Sequence, residues 1–224
     1  MIKSKKKGSI IVISGTTCAG KGTVINKLLE TEKNLQLSVS YTSREMRPGD
    51  VEGKTYYFVS KEEFERKIEN GDFLEYAKVH DNYYGTPKME IRELLNKGID
   101  VILEIDVVGA MNVKKLFPEV ILIFIMAPSM EVVKERIKAR GGESPSQIIR
   151  RFRTAYQEIN EIPKYNYVVV NDILEDAVLK VKSILISEKC RVDRIEEILV
   201  SNQEEVIHEF LMDKEFDNSE REVI

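Results

Sequence analysis

One segment near the start of the chain constrains the fold more than any other. Residues 10–13 form an unbroken apolar run, and residues 15–23, which read GTTCAGKGT, follow almost at once and lead into a helical pattern. A continuous β-branched run is typical of a strand buried on both faces of a parallel sheet. A strand, a GxxxxGK loop and a helix in that order predict a phosphate-binding loop. We therefore expect an α/β protein that binds a nucleotide.

The loop provides the first candidate binding residues. Lys21 is expected to reach the β- and γ-phosphates of ATP, while the loop backbone cradles the β-phosphate. Gly22 stands where the common motif has Ser or Thr, which leaves Mg²⁺ to be held by Thr23, directly or through water. The predicted ATP-binding residues of the loop are Gly15, Thr16, Thr17, Cys18, Ala19, Gly20, Lys21, Gly22 and Thr23.

Strand and helix patterns alternate along most of the chain. The further strand patterns lie at 101–105, 120–126 and 167–170, and the helical patterns at 87–97, 107–116 and 129–160. Alternation of this kind predicts a parallel sheet covered by helices. With 224 residues, the chain suits one α/β core with smaller lobes better than two large domains.

Residues 38–85 break the alternation. The β-rich pieces of this segment lie near 37–41, 55–59 and 73–79. One short helix is expected after Ser60, because Ser60 and Glu63 form a capping box. We interpret the segment as a small α+β lobe inserted between the first helix and the second core strand.

A second insertion, at about 137–151, is rich in arginine. Gly141 and Gly142 interrupt its helical pattern, and Pro145 marks where a second helix starts. Glycine permits many backbone conformations, so the segment is expected to be a flap bounded by hinges.

The inserted lobe contains a cluster suited to an anion. Arg44 and Arg47 are three residues apart, with Ser40 before them and Tyr56 after them. Guanidinium groups donate hydrogen bonds in a planar fork that matches a phosphate, so the pair is a candidate acceptor-phosphate site. Two arginines in a turn are as often a solvated surface, and the pair alone leaves both interpretations open.

A carboxylate further along the lobe favours the binding interpretation. Glu75 is followed by Tyr84 and Thr86. A carboxylate with a hydroxyl nearby matches the donor and acceptor edge of guanine. The lobe is thus expected to bind both the phosphate and the base of a nucleotide.

From about residue 8 to about residue 186, the chain resembles the guanylate kinases. The segments that carry this resemblance, besides the loop, are 40–56, 71–86, 104–109, 127–140 and 171–172. The resemblance implies a phosphate-loop nucleoside monophosphate kinase fold, with a parallel-sheet core, an inserted nucleotide-binding lobe and an arginine-rich lid. It also implies ATP-dependent phosphorylation of GMP and dGMP with Mg²⁺.

The resemblance assigns a role to each matching residue. The GMP-binding residues that it implies are Ser40, Arg44, Arg47, Tyr56 and Tyr84 for the phosphate, and Glu75, Thr86, Asp106 and, nearby, Glu104 for guanine. The catalytic residues that it implies are Lys21, Arg44, Arg136, Arg140 and Arg151, and Asn171 would lie near adenine. Arg136, Arg140 and Arg151 would close over the phosphates.

The same resemblance divides the chain into segments. We expect a core with the phosphate loop at 1–37, the GMP-binding lobe at 38–88, core at 89–136, the lid at 137–155, core at 156–190, and a helical and acidic extension at 191–224. Three positions depart from the usual family pattern, which has proline or a similar residue at Thr16, glycine at Cys18 and usually glutamate at Asp50. A side chain at Cys18 would cost roughly 1 kcal/mol if its φ is positive.

Composition limits the partners. Residues 201–224 hold eight acidic and two basic residues, so the remainder has 30 acidic and 32 basic residues and no sign of a long nucleic-acid surface. No apolar run approaches the roughly 20 residues that span a bilayer. We expect a cytoplasmic protein, a monomer or a homodimer, that binds ATP and GMP but no nucleic acid or membrane.

Two other functions compete with this interpretation. Adenylate kinases and ribose bisphosphate phosphokinases resemble the chain in their phosphate loop, but Glu75 with Tyr84 and Thr86 argues for guanine. Guanylate-kinase-like domains of scaffold proteins keep the fold without the chemistry, and they lack an intact phosphate loop. The presence of Lys21 and of the acceptor and lid arginines favours an active kinase.

Overall fold

The computed structural model describes residues 7–79, 81–140 and 145–194, and gives only the backbone at residues 140 and 145. The described residues fall into two compact units, one that extends to Ile184 and one that begins at Leu185. In the described ranges, no helix is long and apolar enough to cross a bilayer.

The strands alternate with helices, as the sequence predicts. The strands are β1 (Ile10–Gly15), β2 (Leu35–Leu37), β3 (Tyr41–Thr42), β4 (Tyr57–Phe58), β5 (Phe73–Val79), β6 (Asn82–Pro87), β7 (Asp100–Glu104), β8 (Ile121–Met126) and β9 (Tyr167–Val170). The α-helices are α1 (Lys21–Thr31), α2 (Lys61–Glu69), α3 (Lys88–Asn96), α4 (Val107–Leu116), α5 (Met130–Arg140), α6 (Pro145–Ile159) and α7 (Leu174–Glu188). Short 3₁₀ turns span Ile162–Lys164 and Val192–Arg194.

A five-stranded parallel sheet forms the core, in the order β2-β7-β1-β8-β9. The central strand β1 pairs with β7 on one side and with β8 on the other, and all six of its residues are buried. Burial on both faces explains its continuous apolar run. The loop that follows β1 therefore leaves the middle of the sheet, at the carboxyl ends of the strands, where open α/β sheets bind ligands.

The four core strands expected from the sequence are confirmed, but β2 was not predicted. It has three residues and pairs only with β7, at the edge of the sheet. The helical pattern at 129–160 is two helices, and α6 begins at Pro145 as predicted. Residues 141–144 of the predicted flap lie outside the described residues.

A second sheet of four strands, β4-β3-β6-β5, forms within the inserted segment. Strand β5 coincides with the prediction at 73–79, and Ser60 caps α2 by accepting a hydrogen bond from the Glu63 N–H at 3.1 Å. Strand β6 was missed, because Gly85 and Pro87 within it are typical of a turn. Gly85 is required there, since a Cβ would lie 2.8 Å from a Phe64 ring atom.

The described part of the second unit is short. It contains the end of α7 and the 3₁₀ turn Val192–Arg194. The buried carboxylate of Glu188 forms ion pairs with Arg191 and Arg194. Residues 195–224, which hold most of the predicted acidic extension, lie outside the described residues.

Candidate active site

A cavity of about 570 Å³ opens where the phosphate loop faces the four-stranded sheet. Its size suits a small-molecule ligand. The predicted site residues that line it are Gly15, Lys21, Gly22, Ser40, Tyr56, Glu75, Tyr84, Glu104 and Asp106. The structure thus brings the phosphate loop, the acceptor lobe and the end of β7 into one cavity.

The phosphate loop runs from the end of β1 to the start of α1. Gly15 is required at its first position, since a Cβ there would lie 1.8 Å from the carbonyl oxygen of Ile125 on β8. The first N–H groups of α1 have no partners within the helix and carry its positive dipole end. Lys21 Nζ donates to the carbonyl oxygens of Gly15 at 2.9 Å and Thr16 at 3.3 Å. The ammonium group is therefore held at the mouth of the loop.

Side chains distant in sequence hold the outer side of the loop. Asn171 Nδ2 donates to the carbonyl oxygen of Ala19 at 2.7 Å. The guanidinium of Arg136 donates to the carbonyl oxygens of Cys18, Ala19 and Asn171 at 3.5, 3.4 and 3.1 Å. Arg136 and Asn171, which were predicted to contact nucleotide, thus also fix the loop backbone.

Cys18 has a φ of 59°, the one positive φ among the described non-glycine residues. The departure from glycine at this position therefore carries the expected cost of about 1 kcal/mol. The half-buried Cys18 side chain packs against an apolar cluster that includes Val133 and Ile137 of α5 and Ala155 of α6. This packing offsets part of the backbone strain.

Arg44 is held by an acidic partner in the inserted lobe. It is only 8% exposed, and its Nη1 donates to Asp50 Oδ2 at 2.7 Å and to the carbonyl oxygen of Glu45 at 2.7 Å. Asp50 Oδ2 also accepts the backbone N–H of Arg47 at 2.7 Å. The hydrogen bond with Asp50 raises the pKa of Arg44, and the same bond, with that from Arg47, lowers the pKa of Asp50. The Asp50 carboxylate therefore contacts both predicted acceptor arginines, the side chain of Arg44 and the backbone of Arg47.

Aromatic rings complete this cluster. The guanidinium of Arg44 lies 5.3 Å from the ring centres of Tyr56 and Phe58. Tyr56 packs edge-on against Tyr84, with ring centres 5.8 Å apart, and both tyrosines line the cavity. Arg44 lies behind Tyr56 rather than in the cavity wall, and Arg47 is exposed. The structure thus brings Ser40 and both tyrosines to the cavity, whereas Arg44 and Arg47 are not among the described residues that line it.

The guanine candidates form a buried pair on neighbouring strands. Glu75 and Thr86 are partners in the β5–β6 register, and the Thr86 hydroxyl donates to Glu75 Oε1 at 2.5 Å. Burial raises the pKa of Glu75, the Thr86 hydrogen bond opposes that shift, and the negative charge of Asp106 adds to it. Asp106 caps α4 by accepting the Gly109 N–H at 2.8 Å. The carboxylates of Glu75 and Asp106 thus both meet the start of α4.

Glu104 lies near the phosphate loop. Its Oε2 would be 4.0 Å from a Cβ at Gly22. Burial raises the pKa of Glu104, and the positive charge of Lys21 lowers it. Its location at the end of β7, next to β1, explains the proximity to the loop.

Of the predicted lid arginines, Arg136 and Arg151 are not among the described residues that line the cavity. Arg136 contacts the loop as described above, and Arg151 lies half-buried on α6. The side chain of Arg140 lies outside the described part of the chain.

Sequence reasoning missed several residues of the cavity wall. They are Asn26, Leu37, Val51, Lys54, Thr55, Ala77, Val79, Gly85, Ile105, Gly109 and Glu158. Glu158 is the most consequential, because its Oε2 accepts the backbone N–H of Thr17 at 3.0 Å. The only sequence signal for Glu158 is its position seven residues after Arg151, which places both on one face of α6.

Comparisons with known proteins agree with this geometry. A family model described as guanylate kinase matches residues 7–188. A guanylate kinase from Clostridium tetani is 55% identical over 93% of this chain and 100% of its own length, and one from Caldanaerobacter subterraneus is 54% identical over 91% and 98%. A crystal structure of guanylate kinase from Anaplasma phagocytophilum has a TM-score of 0.72 and 37% identity, covering 86% of this chain and 92% of that chain. This chain belongs to the guanylate kinase family.

Proposed function

We propose that the chain is an ATP:GMP phosphotransferase, which moves the γ-phosphoryl group of ATP to GMP or dGMP and releases ADP with GDP or dGDP. The observation that carries the proposal is one cavity lined by Lys21 of the phosphate loop and by the buried carboxylate of Glu75. The first suits a phosphate donor, and the second suits a purine with N–H groups on its edge. Family membership supports the same reaction.

Guanine recognition would depend on the Glu75 and Thr86 pair. An ionised carboxylate accepts hydrogen bonds only, and guanine offers N1–H and an exocyclic amine. The Thr86 hydroxyl already occupies Glu75 Oε1 and thereby fixes the orientation of the carboxylate. Asp106, fixed by the start of α4, would face the same base.

The acceptor phosphate would be held beside the tyrosine pair. Ser40, Tyr56 and Tyr84 line that part of the cavity and offer hydroxyl donors. Arg44 donates through Nη1 to Asp50 and to the carbonyl oxygen of Glu45, and a guanidinium group has further N–H donors on Nε and Nη2 that would serve a phosphate. We propose that Arg44 and Arg47 neutralise the acceptor so that its oxygen can approach ATP.

Phosphoryl transfer requires positioning and positive charge more than covalent participation. The start of α1 and Lys21 would hold the ATP phosphates in line with the acceptor, with Asn171 on the adenine side. Lys21 and the arginines at 136, 140 and 151 would offset charge that develops on the transferring group. Exclusion of water from the cavity would favour transfer over hydrolysis.

The residues beside the loop fit a magnesium ion that arrives with ATP. Mg²⁺ takes oxygen ligands, commonly one or two carboxylates with substrate phosphates and water. Glu104 offers a carboxylate at the end of β7, where it interacts electrostatically with Lys21, and Thr23 offers a hydroxyl at the start of α1. When bound there, Mg²⁺ would neutralise the β- and γ-phosphate oxygens and orient them.

The segments keep their predicted roles in this proposal. Residues 38–88 would bind GMP, residues 137–155 would form the lid, and the segments 1–37, 89–136 and 156–190 would form the core. Charge balance gives no support for a nucleic-acid partner. We propose a monomer or homodimer that acts on the nucleotide pool of the cytoplasm.

The test is a panel of phosphate acceptors. GMP, dGMP, AMP, UMP and ribose 1,5-bisphosphate are each offered with ATP and Mg²⁺, and ADP formation is measured. GMP and dGMP should be used, while AMP should be worse by a factor of about 10⁴ in kcat/KM, since it has no N1–H for Glu75. Comparable rates with GMP and AMP would contradict the proposal.

A further inference from the structure

We propose that Glu158 is a positioning residue for the phosphate loop, because its carboxylate holds the peptide N–H of Thr17 and so sets the loop for ATP. The inference rests on the proposed function in one respect, namely that the loop binds ATP. The contact joins residues 141 positions apart in sequence, with Thr17 N and Glu158 Oε2 separated by 3.0 Å.

Glu158 occupies the last turn of α6 and lines the same cavity as Lys21. The Glu158 side chain is partly buried, and this burial raises the pKa of its carboxyl group. The Thr17 N–H and the positive charge of Lys21 both lower that pKa, and the negative charge of Asp106 raises it. The two groups that favour the ionised form thus both belong to the phosphate loop.

The hydrogen bond acts next to the most strained position of the loop. Thr17 precedes Cys18, whose left-handed backbone is unfavourable for a residue with a side chain. Arg136 holds the carbonyl oxygens of Cys18 and Ala19 from the outer side. Glu158 holds the N–H of Thr17, so an acid and a base on successive helices fix opposite polar groups of the same turn.

The N–H groups around the loop fall into two sets, those that donate to an acceptor within the protein and those that have no partner within α1. The Thr17 N–H donates to a protein carboxylate, whereas the N–H groups at the start of α1 have no partners within their helix. The second set can therefore meet the phosphates. The negative charge of Glu158 so close to the phosphates would weaken ATP binding, whereas its hydrogen bond with Thr17 would strengthen it. The two effects have opposite signs, so variants that change the charge and the hydrogen bond separately can distinguish them.

Three substitutions separate these effects. Glu158→Gln keeps an acceptor oxygen and removes the charge, Glu158→Ala removes both, and Glu158→Asp keeps the charge but withdraws the acceptor by one methylene. Glu161→Ala is the matched control, because Glu161 is a carboxylate three residues further along the chain that forms an ion pair with Lys164 near the surface. Each full-length variant is compared in kcat, in KM for ATP and GMP, and in Tm.

If Glu158 positions the loop, Glu158→Ala and Glu158→Asp should each raise KM for ATP about tenfold and lower kcat, with KM for GMP within about twofold of wild type. Glu158→Gln should have a KM for ATP equal to that of wild type or lower. Equal loss in Gln and Ala variants, a lower KM for ATP in all three, or wild-type kinetics in Glu158→Asp would overturn the inference.

Calorimetric titration with ATP keeps this test independent of GMP chemistry. The affinities for ATP should follow the same order, with Glu158→Gln at least equal to wild type and the Ala and Asp variants about tenfold weaker. A wild-type protein that binds ATP but does not phosphorylate GMP would remove the proposed function and leave this inference intact. If Glu158→Ala fails to fold, the Asp and Gln variants still decide the outcome.

Discussion

The phosphate loop and the acceptor cluster, which consists of Arg44, Arg47, Asp50, Tyr56 and Phe58, both hold cationic side chains, but they are built in different ways. In the loop, most stabilising contacts involve backbone groups, including the carbonyl oxygens of Gly15 and Ala19 and the N–H of Thr17. In the acceptor cluster, side chains hold side chains, with Asp50 on Arg44 and two aromatic rings against the guanidinium. The loop therefore depends on backbone conformation, and the cluster depends on the identity of a few side chains.

This difference predicts how each region responds to mutation. The loop backbone is held at several points, so replacing a side chain of the loop itself should cost mainly the chemistry of that side chain, whereas replacing a side chain that holds the backbone from another helix, as Glu158 does, should shift the loop. A cluster fixed through side chains should lose the position of one residue when its partner is replaced.

The largest effect is expected for Lys21→Ala. The variant loses the two hydrogen bonds of Lys21 to the loop backbone, while the contacts made by Arg136 and Glu158 remain to hold the loop. Because a cation at the transferring phosphate is also lost, kcat should fall by a factor of the order of 10²–10³. Steady-state kinetics measure the loss, and circular dichroism with Tm tests whether the fold is retained. Turnover within a few-fold of wild type would remove Lys21 from catalysis.

Glu75→Gln should have the next largest effect. The amide keeps the size of the side chain but places a donor where guanine needs an acceptor, so KM for GMP should rise about tenfold or more, with a smaller change in kcat. IMP keeps N1–H and lacks the amine, and it should fall between GMP and AMP in wild type. An unchanged KM for GMP in the variant would exclude Glu75 as the base reader.

Asp50→Ala tests the side-chain construction of the acceptor cluster. Without the carboxylate, Arg44 and the Arg47 backbone lose a shared acceptor, so KM for GMP should rise about tenfold while KM for ATP stays within twofold. Asp50→Glu, which keeps the charge, should recover part of the loss. Asp72→Ala is the control, since Asp72 forms a more exposed pair with Lys67 in the same lobe. A lower KM for GMP in Asp50→Ala would mean that Asp50 competes with the phosphate instead.

The smallest effect is expected for Cys18→Gly. The substitution relieves the strain of a positive φ, but it removes the contact with the α5–α6 cluster and increases the freedom of the unfolded chain. These effects oppose each other, so the free energy of unfolding should change by about 1 kcal/mol or less, with kinetics near wild type. Urea unfolding measures the change, and a loss of several kcal/mol would show that the side chain itself holds the loop.

Much of the candidate site follows from the sequence because it is local. The strand, the loop and the helix over residues 10–31 are contiguous, and hydrophobic periodicity with the GxxxxGK pattern is sufficient to predict them. The strand at 73–79 and the cap of α2 at Ser60 follow from equally local signals. Lys21, Ser40, Tyr56, Glu75 and Tyr84 were expected from one family pattern, and the structure places all five around one cavity, while their roles there stay predictions.

Tertiary structure decided the contacts between distant segments. The Glu158 carboxylate on Thr17, the Arg136 guanidinium on Ala19 and the location of Glu104 beside Lys21 all join parts of the chain that no periodicity relates. Strand β2 exists because β7 offers it an edge, and β6 tolerates Gly85 because two phenylalanine rings occupy the space of a Cβ. Residue types and their spacing specify what a segment can form, whereas the packing of the whole chain decides which polar groups finally meet.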